Sequence, residues 1–114
     1  MKRGWIWTIS ILGDGDRTGK PRPAVIVQDD KFDATGSVTI CAFTTDQTEA
    51  PLFRIRVDPT EENGLQEATS LMVDKLTTVR RRRVGSRVGR LDAEDIVLLN
   101  RAIFAFLGLT SSIG

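Results

Sequence analysis

GKPRPAVIV, residues 19 to 27, sets a guanidinium at the mouth of an apolar strand: Arg22 stands between Pro21 and Pro23. Proline fixes its own φ and disfavours helical backbone for the residue before it, so Arg22 is held extended with a well-defined Cα–Cβ direction. A guanidinium presented that way is a preorganised donor fork for a phosphate, because little freedom is left to lose on binding. The competing use is a salt bridge to a nearby acid that ties down the loop. Thr44 and Thr45 directly follow the apolar stretch SVTICAF (37 to 43). A hydroxyl at a strand end can donate to a phosphate oxygen or orient an attacking group, although threonine also favours strand ends for purely structural reasons. Asp74 closes SLMVD at the edge of a basic segment. It is a candidate general base, but an arginine paired with it would lower its pKa and make it a poorer base near neutral pH.

Other chemistries are excluded by what is missing. The chain has 114 residues and no histidine, which removes imidazole general bases, Ser-His-Asp triads and most zinc sites. The one cysteine, Cys41, allows no internal disulfide and fits a reducing cytoplasm; inside VTICAF it reads as a small buried hydrophobe. A metal site could draw only on carboxylates, and Asp29-Asp30 reads as a turn, so no metal or cofactor is assigned. Gly13-Asp14-Gly15-Asp16 lacks the lysine and following helix of a phosphate loop, and its aspartates have the wrong sign. The net charge is only +1, but its distribution is uneven. Lys75 to Arg90 holds seven basic residues and no acid, whereas Pro23 to Asp74 holds ten acids and three bases. A positive patch on an otherwise acidic body is the usual footprint for a polyanion; a solvated run that binds nothing is the alternative.

The length suggests a single domain, residues 1 to 114, with one core. Lys2 and Arg3 before WIWTISIL briefly suggest a leader peptide, but Thr8 and Ser10 interrupt the apolar run and the alternation is that of a strand. No run is long enough to span a bilayer. Strands are expected over residues 4–12, 22–29, 37–43 and 52–58, with another over 69–79 that bends near Lys75. Asn63-Gly64 suits a left-handed turn. Asp92 is a good N-cap; Ile96, Leu99, Ile103 and Phe106 then recur at helical spacing, and Gly108 suits a stop, so an amphipathic helix is expected over about residues 92–107. Five or more short strands and then one helix make a mainly β fold, a small barrel with a helical lid.

RGWIW, RPAVIVQDD, TICAFTTD, EENGL, MVDKLTTV and RVGRLDAED…LGL occur in the order found in the MazF/PemK-like toxins. The resemblance covers essentially the whole chain. It implies an SH3-like β-barrel of the CcdB/PemK/MazF kind with a C-terminal helix, a homodimer, and a cytoplasmic, metal-independent endoribonuclease of a type II toxin–antitoxin pair. Such enzymes cleave single-stranded mRNA at short sequences with the ribose 2′-OH as nucleophile, leaving a 2′,3′-cyclic phosphate and a 5′-OH. The implied partner is an antitoxin whose disordered acidic tail lies across the active groove. Carried over by position, the arginine of the RP motif is Arg22 and the strand-end threonine is Thr44, the implied catalytic pair. The acid after the fifth strand is Asp74, as general base or substrate-orienting group, and Lys75 replaces the neighbouring glutamine. Arg17, Lys20, Thr45, Gln47, Lys75 and Arg81 are assigned to RNA contact.

Three positions depart from the family pattern. Trp5 stands where an acid usually follows Arg-Gly. The loop LGDGDRTGK lacks the usual Gly-Ser-Glu segment, so cleavage-site preference does not carry over. Met72 stands where some PemK-type members place an arginine two residues before the acid, which favours Arg22 and Thr44 over an Arg–Asp pair built at that point. Trp5 and Trp7 could stack bases or serve the core or an interface. The alternatives to a ribonuclease are a CcdB-type gyrase poison, a nucleic-acid-binding module without catalysis, and a purely protein-binding module.

Overall fold

The computed structural model describes residues 1–10, 20–46, 48–50 and 52–109. Seven strands precede one helix: β1 (Trp5–Ile9), β2 (Arg22–Ile26), β3 (Ser37–Thr44), β4 (Arg54–Val57), β5 (Thr69–Met72), β6 (Thr77–Arg80), β7 (Val84–Arg90) and α1 (Ala93–Phe106). The order across the sheet is β4-β5-β3-β2-β1-β7, with β6 also on β3, and every pairing is antiparallel. β3 organises this arrangement. Its first half pairs with β6 and its last two residues pair with β5, so the chain changes partners along a single strand.

That division explains the one expected strand that is broken in the structure. Residues 69–79 form two strands, separated by a 3-10 turn at Val73–Lys75. The turn carries the chain past the middle of β3, between its two ladders, and alternation within TSLMVDKLTTV does not encode where the partner changes. The other difference is β7, which the basic run conceals. VGSRVGR contains two glycines and lacks clean alternation. It nevertheless pairs with β1 as an outer strand, with two register shifts. Its close neighbour is the loop before β5. Gly64 in that loop has φ +69°, and a Cβ there would collide with the Val88 carbonyl. Asn63, 3% exposed, holds the loop by accepting from the Thr60 and Leu65 N–H groups at 2.9 and 3.0 Å.

Both faces of the central strands are buried, which is why AVI in β2 is apolar without interruption. Val25, Cys41 and Leu71 face α1 and meet Leu99 and Ala102. Ala24, Ile26, Val38 and Ile40 form a second cluster with Ile9. Removing the fully buried Leu99 side chain down to alanine would cost about 2–5 kcal/mol. The helix begins as the sequence implies, with the Asp92 carboxylate accepting from Asp95 N–H at 2.8 Å. It ends in a Schellman motif: Gly108 has φ +72°, Gly108 N–H donates to Ala105 O at 3.1 Å and Leu109 N–H to Phe104 O at 2.8 Å. Phe106 leaves the core stripe; it is half-exposed and meets Phe53 at its edge, ring centroids 6.4 Å apart. Among the described residues no helix is long and apolar enough to cross a membrane.

Candidate functional site

Arg22 is the first residue of β2 and pairs through its backbone with Ile9 of β1. It is exposed, and among the described residues no hydrogen bond or ion pair engages its guanidinium. Among the described residues no acid forms the loop-tying salt bridge with it. The β2–β3 register runs Ile26–Ile40, Val25–Cys41, Ala24–Ala42. The ladder ends there, so Arg22 and Thr44 each lie two residues beyond its last pair, at neighbouring ends of the two strands. Two small side chains, Ala24 and Ala42, lie beside them on the same face.

Thr44 ends β3, half-buried, and its Oγ1 accepts from Asp46 N–H at 3.1 Å. That bond uses a lone pair and leaves the hydroxyl hydrogen to donate elsewhere. Asp46 in turn accepts from Thr48 N–H at 3.0 Å and Thr48 Oγ1–H at 2.7 Å, and these bonds hold its carboxyl below the usual range. The turn after Thr44 is thus tied to the hydroxyl it positions.

Asp74 lies in the 3-10 turn after β5 and is clamped by Arg54. Arg54 Nε donates to one carboxylate oxygen at 2.9 Å and Nη2 to the other at 3.2 Å. The two side chains are 14% and 22% exposed. The guanidinium's hydrogen bonds and charge hold Asp74 below the ordinary carboxylate range, and Lys75 adds to this. Such a carboxylate is a strong acceptor and a weak base near neutral pH. Met72, where some PemK-type members carry an arginine, faces Arg54 directly across the β4–β5 ladder. An Arg–Asp pair therefore exists, with its cation supplied by a different strand. Its sequence signal was only the alternation of FRIRV, which marks Arg54 as outward-facing without naming its partner.

The remaining assigned residues do not converge on one place: Arg81 lies by Gly36, at the opposite end of β3 from Thr44. Lys20 and Lys75 are exposed, and Thr45 is exposed just beyond Thr44. Arg17 and Gln47 lie outside the described residues. Arg81 is used structurally: Nε donates to Thr35 O at 2.8 Å and Nη2 to Asp33 O, which ties the loop before β3. Others in the basic run are also engaged. Arg83 reaches Ser10 O at 3.4 Å, Arg90 pairs with Glu62 at 2.8 Å, and Arg87 lies over the Trp5 ring at 3.6 Å. Arg80 and Arg82 are exposed and without a side-chain partner among the described residues. Trp7 packs against the second core cluster with its Nε1 buried and unpartnered. Among the described residues no three acidic or cysteine side chains converge as a metal cage would require.

Residues 2–107 match the family of PemK-like, MazF-like toxins of type II toxin–antitoxin systems, and the chain belongs to that family. It is 53% identical over 109 residues to a probable endoribonuclease MazF of Mycolicibacterium smegmatis, covering 96% of this chain and 98% of the relative. Among solved structures, it is similar in fold to an endoribonuclease in complex with its cognate antitoxin from a mycobacterial species. That likeness has a TM-score of 0.77 at 20% identity and covers 96% of each chain. It is also similar to the Mycobacterium tuberculosis toxin MazF-mt6, with a TM-score of 0.76 at 22% identity over 91% of this chain and 96% of the other.

Proposed function

We propose that the protein is the endoribonuclease toxin of a type II toxin–antitoxin pair and that Arg22 and Thr44 are its catalytic residues. The observation that supports this reading is the exposed Arg22 guanidinium at the start of β2, unpaired among the described residues, near the strand end where the Thr44 hydroxyl is oriented by its own turn. RNA brings its own nucleophile, so the protein must align the 2′-OH for in-line attack and neutralise the charge that develops on phosphorus. Arg22 donates two hydrogen bonds to the non-bridging oxygens and Thr44 donates one. Arginine stays protonated and is a poor acid or base, so its main contribution is electrostatic. The 2′-oxygen attacks phosphorus as its proton passes to water, the bond to the 5′-oxygen breaks and that oxygen takes a proton from water, and the products carry a 2′,3′-cyclic phosphate and a 5′-OH.

The wider reading follows from the family. The substrate is single-stranded mRNA, and the reaction needs no metal. The chain acts in the cytoplasm as a single domain with an SH3-like barrel, in a homodimer, and is silenced by an antitoxin with an acidic tail. Lys20, Thr45 and Lys75, with Arg17 and Gln47, contact RNA beside the scissile phosphate. Arg81 contributes only through Nη1, because its other nitrogens hold the loop before β3.

The test is incubation with single-stranded RNA without divalent ions, followed by end mapping. The expected products carry a terminal cyclic phosphate, and a 2′-deoxy sugar at the cut position blocks cleavage. Intact RNA alongside inhibited gyrase supercoiling would overturn the reading in favour of a gyrase poison.

A further inference from the structure

The ion pair between β4 and the turn after β5 differs from the other two among the described residues. Arg56–Asp58 and Arg90–Glu62 are single contacts between well-exposed side chains, and such pairs contribute little. Arg54–Asp74 uses two parallel hydrogen bonds and is largely sheltered. A bidentate fork fixes the plane of a carboxylate as well as its position. Each Asp74 oxygen spends one acceptor direction on Arg54 and retains another, and the side chain still reaches solvent.

Placement gives the pair its meaning. β5 pairs Ser70 with Thr44 and Leu71 with Phe43, and the Asp74 turn follows one residue after β5 ends. Arg54 is anchored from the opposite side, across from Met72. Arg54 also attracts Asp46, whose backbone N–H orients the Thr44 hydroxyl. Arg54 thus holds the Asp74 carboxylate by hydrogen bonds and acts on the Asp46 carboxylate through its charge. Phe53, with its ring centroid 5.9 Å from the guanidinium, borders that cation.

We infer that Arg54 is a positioning residue for RNA cleavage: its two-pronged grip holds the Asp74 carboxylate in one orientation as an acceptor for the attacking ribose hydroxyl. This rests on the ribonuclease reading and adds to it a residue outside the Arg22–Thr44 pair. No proton is assigned to Asp74. The carboxylate accepts a hydrogen bond from the 2′-OH and so turns the oxygen lone pair toward phosphorus.

The test compares wild-type, Arg54→Gln, Arg54→Lys and Asp74→Asn proteins on a defined single-stranded RNA across pH, with folding checked by circular dichroism and thermal unfolding. Loss of the guanidinium lets the Asp74 carboxyl return toward its ordinary value. Activity that needs the carboxylate is lost as pH falls through that value, so the acid limb of the Arg54→Gln profile moves to higher pH. Arg54→Lys keeps the charge without the fork; it retains the position of the acid limb more closely but loses rate at the plateau. In the Asp74→Asn background, Arg54→Gln costs little further, because both act on one carboxylate. The inference is overturned if folded Arg54→Gln cuts at the wild-type rate, or if its rate falls equally at every pH, which is what a purely structural tie would give. It is also overturned if the two substitutions multiply independently. Should Arg54→Gln fail to fold, Arg54→Lys and Asp74→Asn decide: equal plateau rates in all three folded proteins sink the idea. If wild-type protein leaves RNA intact, the ribonuclease reading itself has failed, a result separable from active wild type with indifferent Arg54 variants.

Discussion

Two arginines border the strand end at Thr44. Arg22 comes from β2 on one side, exposed and without a partner among the described residues; Arg54 comes from β4 on the other, clamped to Asp74 by two hydrogen bonds. Arg22 owes its direction to its backbone, since the flanking prolines restrict the chain and leave the charge uncompensated. Arg54 owes its direction to a carboxylate that neutralises it. A free, preorganised cation can meet charge as it develops in a reaction, whereas a neutralised one can only hold its partner in place. The same residue type thus serves two purposes, and neighbouring charge decides which.

The largest expected effect follows from that contrast. Arg22→Ala should lower cleavage by on the order of 10²–10³-fold, the usual cost of removing one preorganised charge contact. Because Arg22 has no structural partner among the described residues, the melting temperature should stay within a degree or two of wild type. A variant that cut RNA at the wild-type rate, or that lost activity only by unfolding, would remove the distinction between the two arginines.

Thr44→Val comes next. It keeps the shape of the strand end and removes one neutral hydrogen-bond donor, which is worth about 1 kcal/mol, or roughly five- to tenfold in rate. It also removes the acceptor of the Asp46 N–H, so the loop that carries Asp46 should become more exposed to hydrogen exchange. An equal loss in the Thr44→Ser variant would point to packing rather than the hydroxyl.

How much of this was legible before the structure depends on which interaction does the work. Arg22 could be read from its neighbours in sequence, because prolines act locally. The helix could be read from the Asp92 cap, the apolar spacing and Gly108; the cap and the stop formed as expected, and the stripe did except at half-exposed Phe106. Arg54 could not, because its role depends on the pairing of β4 with β5, a long-range choice that alternation does not encode. The bend expected near Lys75 is there as a full break at Val73–Lys75, but its cause, the exchange of one β3 partner for another, could not be read. β7 was hidden because a bulged outer strand with two glycines satisfies neither alternation nor strand propensity. The basic run was legible as charge but not as structure. Arg81, Arg83, Arg87 and Arg90 are each engaged within the fold.

That last division can be measured as a smaller effect. Arg80→Ala and Arg82→Ala, changing exposed and unpartnered residues, should each reduce the slope of log affinity against log salt for single-stranded RNA by about 0.7 without lowering stability. Arg81→Ala should act the other way round, losing stability through the loop at Asp33 to Gly36 with less change in slope. Slopes unchanged from wild type in all three would mean that the run does not touch RNA.

The smallest effect in the folded protein belongs to Cys41, which reports on the Arg54 corner from beneath. The thiol is fully buried between Val25 and the α1 side of the core, and burial pushes its pKa up to about 12, with the Asp74 charge adding to the rise and Arg54 opposing it. The thiolate is the reactive form, so at pH 8 an alkylating reagent should leave the native protein almost unmodified. Reaction then requires the sheet to open, and its rate measures that opening. Arg54→Gln loosens the corner next to Cys41 and should accelerate labelling, whereas Arg22→Ala changes an exposed end and should not. Equal acceleration by both would mean that the two arginines share one mechanical role, and the difference drawn between a free and a clamped guanidinium would lose its structural basis.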